Sequence, residues 1–216
     1  MWRTPSSRLN VADSTAALGL EVRLVTAADR AALEALFDAV GSSCFCRYFH
    51  FEGDKNDWLA ALAFAPDDQR NWLASGLASG SAETRGLIAR TNDGQVVGWL
   101  KLAQKSCAPK LYGQRYYRSL ACLAEGDAER TAHLSCALIH PSFRNRGLLA
   151  ELVRGAVLHA AELGFTQLEA FPRVVACRVT DEEMFTLPAS VLTAQGFEVV
   201  GGDPAYPVVR LPLVKA

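Results

Sequence analysis

The sequence predicts a single mixed α/β domain, with one central β-sheet flanked by helices. Three observations carry this reading. Short apolar or alternating runs are interleaved with longer runs of helical period along 216 residues. Half of the residues are hydrophobic and 21% are charged, a balance that supports a sizeable core without disulfide or metal staples. No internal repeat or low-complexity linker divides the chain. The length fits one generous domain better than two. Residues 1–18 are polar and mixed and read as a flexible N-terminal arm; residues 19–216 read as the folded domain.

The elements follow in order. Glu21–Val25 alternates and predicts a first strand. Thr26 is placed as an N-cap, with Asp29 completing a short capping box. Asp29–Val40 then carries Leu33, Leu36, Phe37 and Val40 on one helical face, and Gly41 stops it. An irregular cysteine-rich and aromatic segment spans Ser42–Gly53. Asn56–Ala65 and Pro66–Leu77 are helical, with Pro66 as an N1 proline and Trp72, Leu73 and Leu77 as the apolar stripe. Gly86–Arg90 and Gln95–Leu102 flank Asn92-Asp93-Gly94 and predict a β-hairpin.

Ala103–Arg130 is a long connection containing Tyr112, Arg115, Tyr116, Tyr117 and Arg118. A connection of this length is often functional. The cluster reads as a cover for a substrate mouth, as a solvated loop, or as a dimer contact. Ala132–Ile139 is an apolar strand ending at His140-Pro141. Arg144–Leu163 is the strongest helical pattern, with Leu149, Leu152, Val153, Ala156, Val157 and Ala160 on one face and Gly164 as its stop. Gln167–Phe171 is a strand, Phe185–Gln195 a helix ended by Gly196, and Phe197–Val200 and Val208–Leu213 close the chain as strands.

The formal charge is −1, from 22 basic and 23 acidic side chains. Such a chain offers no general field for nucleic acid or anionic lipid, and neither is expected as a partner. No apolar run approaches the roughly 20 residues of a membrane span. Met1–Gly19 has no apolar h-region, so the expectation is a cytoplasmic protein. The six cysteines are irregularly spaced and read as reduced thiols. Cys44-Phe45-Cys46 has single-residue spacing and no second pair at a ribbon distance, so no metal is expected.

Chemistry concentrates between His133 and Leu149. An apolar strand runs into a short loop with two arginines and a glycine, and the loop opens into a long helix. The first N–H groups of a helix lack intrahelical partners and its dipole favours negative charge there. Gly147 admits close approach to the backbone, and Arg144 and Arg146 add charge-assisted hydrogen bonds to phosphate.

Arg144-Asn145-Arg146-Gly147, after the apolar strand and His140-Pro141, resembles motif A of the GNAT acyl-CoA-dependent N-acetyltransferases. In that family a Gln/Arg-x-x-Gly-x-Gly/Ala loop binds the pyrophosphate of coenzyme A. Arg144 and Gly147 match; Leu149 stands where the family has Gly or Ala, with Ala150 beside it. Gly98-Trp99 is similar to the Val-Gly-Trp/Phe of the family's third strand. Cys44-Phe45-Cys46-Arg47-Tyr48 resembles a Cys-Trp-Cys-x-Tyr/Trp segment of a bacterial subgroup of unassigned substrate. Gln195-Gly196-Phe197 resembles the closing helix–Gly-Phe–strand, and the element order from Glu21 to Leu213 is that of the GNAT fold.

The resemblance implies direct transfer of an acetyl group from acetyl-CoA, as co-substrate, to a primary amine of a small molecule or peptide. It implies coenzyme binding by Cys136, Ala137, Leu138 and Ile139 of the strand and by Arg144, Asn145, Arg146, Gly147, Leu148 and Leu149. Backbone N–H groups of Ser135–Ile139 would face the thioester carbonyl, freed by a bulge that this strand often carries in the family. Ser135, His133 and Glu169 are the candidate catalytic side chains. Each also has a plainer reading: Ser135 as a strand residue, His133 as a capping or surface histidine, Glu169 as a solvent-facing carboxylate. Many members place an acidic Tyr in the helix after the fifth strand. This chain has none between Arg178 and Gln195, which leaves Ser190, Cys177 or water. Cys44, Cys46, Tyr48 and His50 fall where the fold builds its acceptor pocket; a packed apolar loop with buried thiols is the other reading. A homodimer is compatible with the fold. A second function class is an acyl-CoA-binding module with little catalysis, and a third is a redox or metal protein built on Cys44 and Cys46.

Overall fold

The computed structural model describes residues 19–124, 126–174 and 186–213. The expected arm, Cys177 and Phe185 lie outside the described residues. A seven-stranded sheet forms from β1 (Leu20–Leu24), β2 (Gly86–Thr91), β3 (Val96–Gln104), β4 (Thr131–Ile139), β5 (Gln167–Ala170), β6 (Glu198–Asp203) and β7 (Tyr206–Pro212). Its order is β1-β2-β3-β4-β5-β7-β6. Neighbours run antiparallel except β4 and β5, which are parallel. The longer helices are α1 (Arg30–Ala39), α2 (Lys55–Phe64), α3 (Asp67–Ser79) and, after β4, α7 (Leu148–Glu162). The long connection holds three short helices, α4 (Pro109–Tyr112), α5 (Arg115–Arg118) and α6 (Ala121–Ala124), and α8 (Ala189–Ala194) precedes β6.

Both faces of the sheet are covered. α7 buries Leu148, Leu152, Val153, Ala156 and Ala160 against Leu87, Ala89, Val97, Leu100 and Leu134. Gly98 makes this approach possible, since a Cβ there would stand 3.0 Å from Leu152 Cδ1. On the opposite face α1 buries Leu33, Leu36 and Phe37 against Ile88, Val96 and Trp99. α1 is positioned by Thr26, whose backbone N–H and hydroxyl both donate to the Asp29 carboxylate. Arg23 grips the same carboxylate with two bonds of 2.7 Å.

The structure departs from the sequence expectation at three helix starts; at the first, Pro66, expected at N1, is the N-cap of α3, which begins at Asp67. The expected helix from Arg144 begins at Leu148. Asn145 and Gly147 hold left-handed φ values of 58° and 79°, so Arg144–Gly147 form a loop after a 3₁₀ turn at Pro141–Phe143. The last helix begins at Ala189, because Pro188 has no N–H to give an earlier turn.

β4 positions the candidate site. It pairs with β5 only from Thr131 to Leu134, opposite Gln167 to Ala170. Along β3, Leu100 faces Ala137 and Leu102 faces Leu134. Ser135 and Cys136 therefore share the place opposite Lys101, which is a β-bulge. Among the described residues no helix is long and apolar enough to cross a membrane.

Leu152, fully buried between α7 and the sheet, should cost about 2–5 kcal/mol when changed to Ala. Val199→Ala on the exposed strand β6 should stay within about 0.5 kcal/mol. Denaturant unfolding of the two variants checks this contrast.

Candidate active site

A cavity of about 520 Å³ opens where β4 and β5 part. β4 supplies Leu134, Ser135 and Cys136 as one wall, and the chain after β5 supplies Phe171 and Arg173. The long connection covers it with Leu111, Gln114, Tyr116 and Tyr117. Tyr48 and Phe49 enter from the cysteine segment, and Thr186, Leu187 and Tyr206 close the remaining side. The cover is held by aromatic packing. Tyr117 lies 4.8 Å from Phe171 between ring centroids, and Tyr112 lies 5.4 Å from the same ring. Tyr116 Oη accepts from the Asp203 N–H and donates to the Tyr206 carbonyl, tying the cover to the β6–β7 hairpin.

Behind the wall sits a buried polar group. Glu169 is fully buried; it accepts from Tyr112 Oη at 2.9 Å and Arg210 at 2.7 Å, and Lys105 Nζ lies 3.5 Å away. Burial, and then the Glu169 charge, push the Tyr112 phenol well above its ordinary range. His133 pairs in register with Glu169 and is also fully buried. Neither ring nitrogen has a hydrogen-bond partner. Burial first, and then the neighbouring His50 and Lys101, lower its pKa to about 3, which keeps the ring neutral at physiological pH.

The cysteine segment turns sharply, with left-handed φ at Phe45 (44°) and Cys46 (54°). Phe45 stacks on Phe37 in the α1 core. Cys46 is buried, accepts from Trp99 Nε1 at 3.4 Å, and touches both Cys44 and Cys136. Hydrogen bonds from the Cys46 thiol and from Ser42 hold Cys44 below the ordinary thiol range. Contact with Cys136 and Cys44, together with burial, pushes Cys46 up. Cys44, Cys46, Cys107, Cys122 and Cys136 are free thiols, and no metal-holding group of His, Cys, Asp or Glu occurs among the described residues. Lys101, buried opposite the bulge, donates to the Glu83 carbonyl and lies 5.1 Å over the Trp72 ring. His50 Nδ1 donates to the Cys107 carbonyl at 2.5 Å and stacks on Trp72. Burial and the Lys101 charge lower its pKa to about 3.

Beyond the bulge, Ala137, Leu138 and Ile139 lead to the arginine loop. Arg144 Nε donates to the Ile139 carbonyl at 3.3 Å, and Arg146 lies 5.5 Å over the Phe143 ring. The space where a Gly147 Cβ would point is open to 4 Å. This loop feeds a helix of 15 residues with Leu148 and Leu149 as its first two. Leu149 is partly buried and packs on the α7 core.

Of the residues singled out from sequence, the structure brings Ser135, Cys136 and Tyr48 to the cavity wall. His133 and Glu169 lie together behind it, and Cys44, Cys46 and His50 pack in the layer between α1, α3 and the sheet. The cover residues Tyr116 and Tyr117 belong to the Tyr112–Arg118 cluster of the long connection. Phe171, Arg173, Leu187 and Tyr206 were missed. The Asp203-Pro204 turn ahead of Tyr206 was the available signal, since it implies a hairpin whose start faces back over the sheet.

Residues 49–180 match the model of the acetyltransferase (GNAT) family. The chain belongs to that family, and it is an acetyl-CoA-dependent N-acetyltransferase. Acetyl-CoA is its co-substrate. Among solved structures, a GNAT-family acetyltransferase from Listeria monocytogenes is 13% identical, with a TM-score of 0.50 over 90% of this chain and 95% of that one. A PaiA N-acetyltransferase from Thermoplasma acidophilum in complex with coenzyme A is 12% identical (TM-score 0.48, 89% of this chain and 98% of that one). A ribosomal-protein-alanine N-acetyltransferase from Brucella melitensis is 19% identical (TM-score 0.49, 89% and 99%). No curated protein matches the chain.

The lowered Cys44 thiol should be the fastest of the described cysteines to alkylate, since the thiolate is the nucleophile. A depressed pKa leaves thiolate present at lower pH, so Cys44 labelling by iodoacetamide should persist below pH 7 while Cys107 labelling falls away. Peptide mapping across a pH series reads both.

Proposed function

We propose that the chain transfers an acetyl group directly from acetyl-CoA to a primary amine of a small molecule or peptide held in the cavity at the β4–β5 divergence. The supporting observation is one strand with two adjoining features: the Ser135–Cys136 bulge in the cavity wall and the Arg144–Gly147 loop at its end. The open space above Gly147 and the start of α7 fit a pyrophosphate. In this reading Arg144, Asn145, Arg146, Gly147, Leu148 and Leu149 hold it, and Cys136, Ala137, Leu138 and Ile139 pair with the pantetheine arm.

The thioester, when bound, supplies an activated acetyl carbon with a thiol leaving group. The protein's part is to align and to stabilise. The bulge releases backbone N–H groups from the β3 ladder and aims them at the carbonyl oxygen as charge grows there. The cavity orients the amine, and alignment supplies much of the rate. Ser135 is the catalytic candidate that reaches the cavity, and its hydroxyl can hold a water that takes the amine proton. Glu169, bound to Tyr112, Arg210 and Lys105, acts in this reading as the tie that fixes β5 and the cover. His133, neutral and enclosed, acts through the position it gives Tyr112, whose ring it meets at 5.8 Å. The phenols of Tyr48, Tyr117 and Tyr206 are the cavity's proton donors for the departing thiolate.

At a hundredfold excess over its Kd, acetyl-CoA should raise Tm by about 5–10 °C. Gly147→Glu, which fills and charges the loop, should abolish that shift; an unchanged shift would place the coenzyme elsewhere. Direct transfer also needs no cysteine. Single Cys44→Ala, Cys46→Ala, Cys136→Ala and Cys177→Ala variants should keep kcat within about fivefold, against the several orders expected for a lost nucleophile. An acetyl adduct on one cysteine, lost together with turnover on its replacement, would defeat the direct route.

A further inference from the structure

Three of the thiols form one cluster. The Arg47 N–H donates to the Cys44 carbonyl at 2.9 Å and closes a turn whose central residues, Phe45 and Cys46, both hold left-handed φ. Non-glycine residues adopt that backbone uncommonly, and here the turn sets the Cys46 thiol against those of Cys44 and Cys136. Cys44 is half-buried, Cys46 is enclosed, and Cys136 lines the cavity at the β4 bulge. Lys101, the buried cation opposite that bulge, is close enough to attract negative charge on all three. We propose that Cys44, Cys46 and Cys136 are a peroxide-reactive thiol relay, in which a hydroperoxide oxidises Cys44 and the oxidation passes inward to a Cys46–Cys136 disulfide at the cavity wall.

The chemistry follows the order of the thiols. Hydrogen bonds from Cys46 and Ser42 bring the Cys44 pKa down to about 6, so at neutral pH this sulfur is a thiolate, the form that attacks peroxide. Its attack forms an S–O bond and breaks the O–O bond. Cys44 becomes a sulfenic acid, and the departing oxygen takes up a proton and leaves as an alcohol, or as water from hydrogen peroxide. The Cys46 sulfur then attacks the Cys44 sulfur. An S–S bond forms, the S–O bond breaks, and hydroxide leaves with the Cys46 proton as water. Cys136 in turn attacks Cys46, gives up its proton and displaces Cys44 as the thiolate. One hydroperoxide has gained two electrons, one disulfide has formed, and the proton released last balances the one taken up first. The exchange runs this way because the thiol of lower pKa leaves faster. Cys44 is that thiol; Cys46, pushed up by its contacts with Cys136 and Cys44 and by burial, is the sulfur kept in the bond. β4 can yield to the new bond, because β5 stays beside it only to Leu134 and Cys136 lies past that point, in the bulge.

The test treats the reduced protein with stoichiometric hydrogen peroxide, blocks the remaining thiols with iodoacetamide, and maps all six cysteines by mass spectrometry without reduction. Chymotryptic cleavage after Phe45 separates Cys44 from Cys46. The expected product is a linked Cys46–Cys136 peptide pair that dithiothreitol abolishes. Cys44→Ser should slow its formation at least about tenfold, the scale of removing the attacking thiolate. Cys136→Ser should stop the relay at a Cys44–Cys46 bond or at a Cys44 sulfenic acid, which dimedone traps. Dimedone labelling of Cys44 in the native protein reads the same entry step without a substitution. Oxidation centred on Cys107, Cys122 or Cys177 would overturn the inference, as would a Cys46–Cys136 bond that forms at the native rate in Cys44→Ser. The consequence for the transferase rests on the coenzyme reading of β4 above. Fixing Cys136 to Cys46 alters the strand proposed to pair with pantetheine, so the acetyl-CoA shift in Tm should fall by at least about half in the oxidised protein and return on reduction. An equal shift in both forms overturns this control of the transferase. No shift in either form overturns the coenzyme reading instead, and the peptide map still decides the relay.

Discussion

β4 must satisfy two partners that run in different directions. β3 is antiparallel to it along most of its length, while β5 is parallel and stays beside it only from Thr131 to Leu134. Parallel and antiparallel ladders space their hydrogen bonds differently. Past Leu134 the strand absorbs an extra residue at Ser135–Cys136 instead of continuing both ladders. The cavity is the gap this leaves. The arginine loop is where the same strand ends. The thiol layer is what packs beneath the bulge, through the contact of Cys136 with Cys46.

A gap in a sheet is stable only if its edges are held. The edges here are held by charge on one side and rings on the other. Glu169 joins β5 to β7 through Arg210 and to the long connection through Tyr112 and Lys105. A fully buried carboxylate with two cations and a phenol is satisfied; stripping one cation from such a group costs about 3–5 kcal/mol. Tyr117 and Phe171 close the rim above it, and Tyr116 ties the rim to the β6–β7 hairpin. The long connection thus belongs to the cavity's cover, and two of its three short helices, α4 with Tyr112 and α5 with Tyr116 and Tyr117, carry the rings that make these contacts.

The sheet and its two covering helices were legible in sequence because each rests on a local pattern. α1 and α7 show one apolar face, and the β2–β3 hairpin shows Asp93-Gly94 between apolar runs. The arginine loop was legible as a strand-to-helix connection but not in extent. Arg144 and Asn145 tolerate a helix, and only the left-handed backbone at Asn145 and Gly147 delays it to Leu148. The cavity was mostly illegible. Its rings arrive from segments around residues 48, 117, 171 and 206, and no spacing rule joins them. Glu169 and His133 show the same limit from the other side. A polar residue in an apolar strand reads identically whether it does chemistry or is paired, and the partner that decides, Arg210, lies far along the chain.

The thiols bear on the mechanism through their order in space. Cys136 borders the cavity, Cys46 lies next to it in the interior, and Cys44 touches Cys46 from the far side. The hydrogen bonds run so that the thiol with lowered pKa is Cys44, which is outside the cavity wall, while Cys46 behind the wall has its proton held more tightly. A nucleophilic cysteine for acyl transfer requires the reverse arrangement, with the thiolate in the cavity and its donors behind. Neither His50, bound to the Cys107 carbonyl, nor His133, which faces Tyr112, makes up the difference, because burial lowers both to about 3 and leaves them too weakly basic to take a thiol proton. On the acyl-transfer route proposed above, what this wall would offer is the bent backbone of Ser135 and Cys136, and a bent backbone stabilises a developing oxyanion without becoming acylated.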